Sequence, residues 1–156
     1  MMKNQRVTDV MRVEREQMQV QLNASLLELA QNGHPLACFT YSKELYNNLR
    51  NGRFGFLEKS QQKELFALCE EYLTVAAQKG VSSAYFYLGM IYLEGVFVKQ
   101  SPKKAIDYYI RGAAKNNAFC FFELSRLHKE GAYVEKDHYL EALYLRRSAE
   151  EGFVMA

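Results

Sequence analysis

Residues 81–116 read VSSAYFYLGMIYLEGVFVKQSPKKAIDYYIRGAAKN, and residues 117–152 read NAFCFFELSRLHKEGAYVEKDHYLEALYLRRSAEEG. Laid under one another, the two stretches match at a step of 36: Leu88 with Leu124, Gly95 with Gly131, Val98 with Val134. The ladder extends in both directions through Tyr72, Tyr108 and Tyr144, through Ala77, Ala113 and Ala149, and through Gly80, Asn116 and Gly152. Phe86 pairs with Phe122 in the same way. The matched positions are small, aromatic, or Gly and Asn, the types that set helix packing and helix ends. A fixed period of 20–50 residues marks a repeat architecture, so it decides the fold before any local reading does. It also directs attention to surfaces, because repeats build scaffolds.

Each period contains two helical stretches. Gly33, Gly80, Asn116 and Gly152 each follow one, and Gly and Asn accept the left-handed conformation that ends a helix. Small pairs stand one turn earlier at Ala76-Ala77, Gly112-Ala113 and Ser148-Ala149, where a neighbouring helix can approach closely. Within Ser83–Glu94, Ala84, Leu88, Ile91 and Tyr92 recur at helical spacing, and Gly95 stops the run. Ser101 followed by Pro102 is a strong helix start, and Asp137 takes the same capping role one repeat later. The spacing therefore predicts A helices near 35–49, 82–94 and 118–130, and B helices near 60–79, 102–115 and 138–151.

The first unit breaks the period. Gly33 to Gly80 is 47 residues, which places an 11-residue insertion around Asn47 to Ser60. Within it, Gly52 and Gly55 bracket Phe54, and Phe56 follows; this apolar pair either tucks beneath its loop or offers a contact. Residues 5–31 read as one long helix, with Val7, Met11, Met18, Leu22, Leu26 and Leu29 near one face. Its second half copies the end of a B helix; the first half is either a cap on the solenoid or an arm for a partner. The expected division is 1–33 as that N-terminal helix, a diverged repeat over 34–80, repeats over 81–116 and 117–152, and 153–156 as the start of a further helix. Together they form one solenoid domain. With no further helix to cover it, the last B helix would offer a side for end-to-end stacking.

Composition narrows the function classes. With 20 Lys and Arg against 18 Asp and Glu, the net charge of +2 is too balanced for nucleic-acid binding, and no basic run exceeds two residues. The longest apolar run, Ala84 to Leu93, is about half a bilayer span, so no membrane insertion is expected. The N-terminal segment has acidic residues and no apolar core of a signal peptide. Cys38, Cys69 and Cys120 are an odd, widely spaced set, which reads as reduced thiols serving as small core residues. That suits the cytoplasm or another reducing compartment, mitochondria included.

The string Ala84-x3-Leu88-Gly89-x2-Tyr92-x2-Gly95-x2-Val98, continued by Lys104-Ala105-x2-Tyr108-Tyr109-x3-Ala113-Ala114, resembles the Sel-one-like repeat (SLR) family, cousins of the tetratricopeptide repeats. The resemblance covers about residues 24–156 and is closest over 81–116. The following copy departs from it with Ser125 for Gly89, His128 for Tyr92 and Glu141 for Ala105. It implies an all-α, right-handed α-solenoid whose A helices line a concave face. It also implies an adaptor or scaffold holding other proteins, with a dedicated structural or assembly subunit of a large complex as the alternative. Some relatives bind antibiotics in an enzyme-like way or carry paired cysteines; this chain lacks such pairs, so neither property carries over.

No catalytic, cofactor-binding or metal-binding constellation is read from the chain. His34, His128 and His138 are far apart and lack metal-ligand spacing, and no nucleophile elbow, P-loop or dinucleotide fingerprint occurs. His128 reads as a packed core or rim histidine. A ligand-binding or catalytic repeat protein is the remote third reading. The candidate protein-binding residues are Tyr85, Tyr87, Phe119 and Phe121 on the A helices, with Phe54 and Phe56 in the insertion. In the SLR family the A-helix positions between the core residues are typically polar. Aromatics there either form a stripe that takes a peptide segment or helix in the groove, or seal contacts between neighbouring A helices.

Overall fold

The computed structural model describes residues 2–152, and the side chains of a few residues in the first 21 positions lie outside the description. The expected helix at 153–156, and with it the stacking end, falls outside the described residues. Seven helices and no strand occur among those described: α1 (Met2–Gln31), α2 (Pro35–Arg50), α3 (Lys59–Gln78), α4 (Ser82–Glu94), α5 (Pro102–Ala114), α6 (Ala118–Glu130) and α7 (His138–Glu150). These bounds agree with the periodicity to within a residue or so, except that α1 starts three residues earlier than read. The antiparallel pairs α2/α3, α4/α5 and α6/α7 are the units, stacked into an α-solenoid. No helix among the described residues is long and apolar enough to cross a membrane.

The helix ends follow from residue chemistry. Asn116 at φ 60° and Gly33, Gly80 and Gly152 at φ 78°, 97° and 94° take the left-handed turn that each B helix needs to hand over to the next A helix. The Ser101 side chain accepts from the Lys104 N–H, and Asp137 accepts from the Tyr139 and Leu140 N–H groups, satisfying otherwise orphaned donors. Three further starts were not read from the sequence: His34 accepts from Ala37, Asn117 accepts from Cys120, and Glu58 forms a reciprocal capping box with Gln61.

Packing runs through two linked clusters. One gathers Cys38, Leu45, Tyr46, Phe66, Cys69, Leu73, Leu88 and Ile91; the other gathers Ala105, Tyr109, Cys120, Leu124 and Leu127. Tyr85 and Tyr92 pack against both. All three cysteines are free and fully buried. A polar strut crosses the join, where the Tyr92 hydroxyl donates to Glu70 of α3 while its ring stacks on Tyr108 of α5 at 5.8 Å. The ladder tyrosine Tyr144 is filled in likewise by His128, stacked at 5.9 Å, whose Nδ1 lies 3.0 Å from the Glu135 carbonyl.

Candidate protein-binding face

Successive A helices touch one another, α2 with α4 and α4 with α6. Between the B helices α5 and α7 lies instead an open cleft of about 510 Å³. The A side is thus the tight, inner side of the stack, where side chains from three helices converge.

Across this side runs a row of aromatic rings. Phe39 of α2 meets Tyr87 of α4 edge-on at 5.7 Å, Tyr87 meets Phe86 at 5.5 Å, and Phe86 meets Phe119 of α6 at 5.4 Å. The row is half-buried along its length and opens at Phe119, which is 47% exposed. Two of its members, Phe39 and Phe86, hold equivalent repeat positions, each six residues after a left-handed stop, at Gly33 and Gly80.

Further along the A helices the face turns polar. Arg50 pairs with Glu94 at 2.9 Å, Tyr46 donates to the same carboxylate at 2.9 Å, and Arg126 bridges Glu123 at 2.7 Å and Glu130 at 3.3 Å. Burial raises the Tyr87 phenol above its ordinary value against a lowering by the Asn47 side chain, and burial together with Glu94 raises Tyr46 further. Both phenols stay protonated at neutral pH, Tyr46 as a donor to Glu94. The apolar strip is thus bordered by ion pairs.

The six residues singled out by sequence separate into three groups. Tyr87 and Phe119 lie in the aromatic row. Tyr85 and Phe121 lie outside it. Phe121 is 6% exposed, packs on Tyr144 at 6.3 Å beneath the Arg147 guanidinium, and floors the cleft between α5 and α7. Tyr85 wedges between the two core clusters, its Cβ close to Gly112 of α5. The reason is angular: each residue advances the helix by about 100°. Positions 85 and 121, one step past the buried Ala84 and Cys120, therefore face the B helices; positions 86 and 87 turn to the inner side.

Phe54 and Phe56 divide the insertion between them. Phe54 folds back to line a cleft of about 290 Å³ with Asn23, Ala24 and Leu27 of α1 and Tyr41, Leu45 and Asn48 of α2. Phe56, edge-on to it at 6.3 Å, is 80% exposed. Sequence reasoning missed Phe39 and assigned Phe86 and Phe122 to packing. The usable signal was the six-residue offset from Gly33 and Gly80; the step of 36 misses Phe39 because the insertion lies between it and Phe86.

Reactive groups are scarce. Burial pushes the Cys69 and Cys120 thiols up to about 12, leaving no thiolate nucleophile near neutrality. Among the described residues no group of three His, Cys, Asp or Glu is placed to hold a metal ion.

A family model described as "Sel1 repeat" matches residues 82–117 and 122–153. The chain is similar in structure to a Sel1 repeat protein from Oxalobacter formigenes, with TM-score 0.65 and 26% identity over 83% of this chain and 90% of that one. It also shares its fold with a protective antigen of uropathogenic Escherichia coli strains that displays an SLR fold. There the TM-score is 0.66 and the identity 24%, over 84% of this chain and 26% of the antigen. No curated protein matches the chain.

Proposed function

Because this chain carries Sel1 repeats at residues 82–117 and 122–153, and proteins built of them are generally non-catalytic interaction scaffolds, we propose that it is a scaffold that binds a segment of another protein on its A-helix face. The observation that carries this reading is the row Phe39, Tyr87, Phe86 and Phe119, linked ring to ring across three helices and open at Phe119. Half-buried aromatics set in a packed, polar-rimmed strip are the usual anchors of interface energy. Rigid neighbours fix their rotamers in advance, so little entropy is lost when a partner docks. The bound segment is an apolar-faced helix or extended peptide, with its polar flank toward Arg50, Glu94 and Arg126.

The test is comparative affinity capture read by quantitative mass spectrometry. Phe119→Ala with Tyr87→Ala should lower recovery of the partners held by the wild type by about 10-fold or more, the scale of one or two lost hot-spot side chains. Phe56→Ala, outside the row, should leave recovery unchanged. Undiminished recovery by the Phe119/Tyr87 variant overturns the assignment.

A further inference from the structure

Helix α1 is longer than the repeat it caps. Leu26 and Ala30 pack against α2, and Leu27 lines the cleft beside it. About 60° of arc on α1 holds a different stripe: residues 7, 11, 18, 22 and 29, spaced by four and seven, fall within it. Leu26, read from the sequence as part of that face, lies about 40° beyond Leu22 and packs on the solenoid instead, with Ala30 and Leu27 further round. Of the described members, Met11 is 60% exposed, Leu22 61% and Leu29 48%. Leu29 is exposed although it lies beside the solenoid, so the described members of the stripe are turned away from α2.

The charge pattern says what covers it. Residues 2–15 of α1 carry Lys3, Arg6, Arg12 and Arg15 against Asp9 and Glu14, a formal +2; residues 16–31 carry Glu16 and Glu28 and no cation, a formal −2. A helix with opposite charge in its two halves is complementary to itself when paired antiparallel, and repels itself when paired parallel. The helix dipoles favour the same orientation. In the register that aligns the stripe, position 7 lies opposite 22, 11 opposite 18, and Glu14 opposite Arg15 of the other chain, the one directly opposed pair of unlike charges. The overlap runs over about seven turns.

We propose that α1 is a self-association arm that pairs antiparallel with α1 of a second copy, making a two-fold dimer with the two aromatic faces left free. Such a dimer presents two binding faces and raises affinity for a partner carrying two sites.

Sedimentation of the whole chain tests it. The wild type should sediment at twice 18.1 kDa in the micromolar range. Met11→Glu with Leu22→Glu should convert it to the single mass, with a melting temperature no lower than that of the wild type diluted until it dissociates, because both side chains are exposed within the chain. A wild type that stays at the single mass up to millimolar concentration overturns the proposal, as does a dimer that survives the double substitution. Mild oxidation fixes the orientation, since the three native thiols are buried. A mixture of Met11→Cys and Met18→Cys chains should cross-link between the two variants. Met11→Cys alone should not, its copies lying about 10 Å apart along the pair, beyond disulfide reach. Efficient cross-linking of Met11→Cys alone means parallel pairing and overturns the register.

Discussion

At Gly89 the chain has no room for even a methyl group. A Cβ built there would lie 2.5 Å from the Tyr109 ring, which is itself buried and held by its neighbours. Gly89→Ala gains about 1 kcal/mol of helix propensity but forces overpacking that costs more. A net loss of about 1–2 kcal/mol is expected, read as a fall of about 2–8 °C in a thermal melt. The buried thiols give a second prediction at this scale. Desolvation raises Cys69 and Cys120 from 9.0 to about 12, so the folded chain holds protons that the unfolded chain releases. Stability from this source is fully present below pH 9 and is lost as pH rises from 9 toward 12. Denaturant midpoints should therefore be level from pH 7 to 8.5 and fall above pH 9. Replacing both cysteines by Ala should make that alkaline slope shallower, the remainder coming from Cys38 and the buried tyrosines.

Helix starts differ in strength although they occupy equivalent places in the repeat. Asp137 receives two backbone N–H groups at 2.9 and 3.0 Å and brings a negative charge to the positive end of α7. Ser101 receives one at 3.4 Å and is helped by Pro102 at the first helical position. Asp137→Ala should cost about 1–2 kcal/mol and Ser101→Ala about 0.5 kcal/mol, an order that urea titrations can check. The insertion is an element of the same kind, a local departure tied down at one point. Phe54 holds it against α1 and α2, which leaves Phe56 presented at its tip.

Over the whole molecule, stability is a sum of neighbour contacts, because each helix pair touches only the next. Phe121→Ala removes a buried ring between α6 and α7, at a cost of about 3–5 kcal/mol. Hydrogen exchange should then accelerate over residues 118–150 while protection over 35–78 persists; uniform loss along the chain would show an all-or-none solenoid instead. The step of 36 by itself determined the helix order, the helix bounds and the left-handed stops, since these depend on residues close in sequence. Which aromatics face inward was decided only by the tertiary stack. One residue step of about 100° separates Tyr85 from Phe86 and two separate it from Tyr87, so neighbours in sequence face different helices. Phe39 joins the aromatic row by touching Tyr87, although the insertion after it takes it off the step of 36. The exposed stripe on α1 was legible as apolar spacing, yet only the packing of Leu26 and Ala30 on α2 shows that it faces away, because a periodicity names a face and not what meets it.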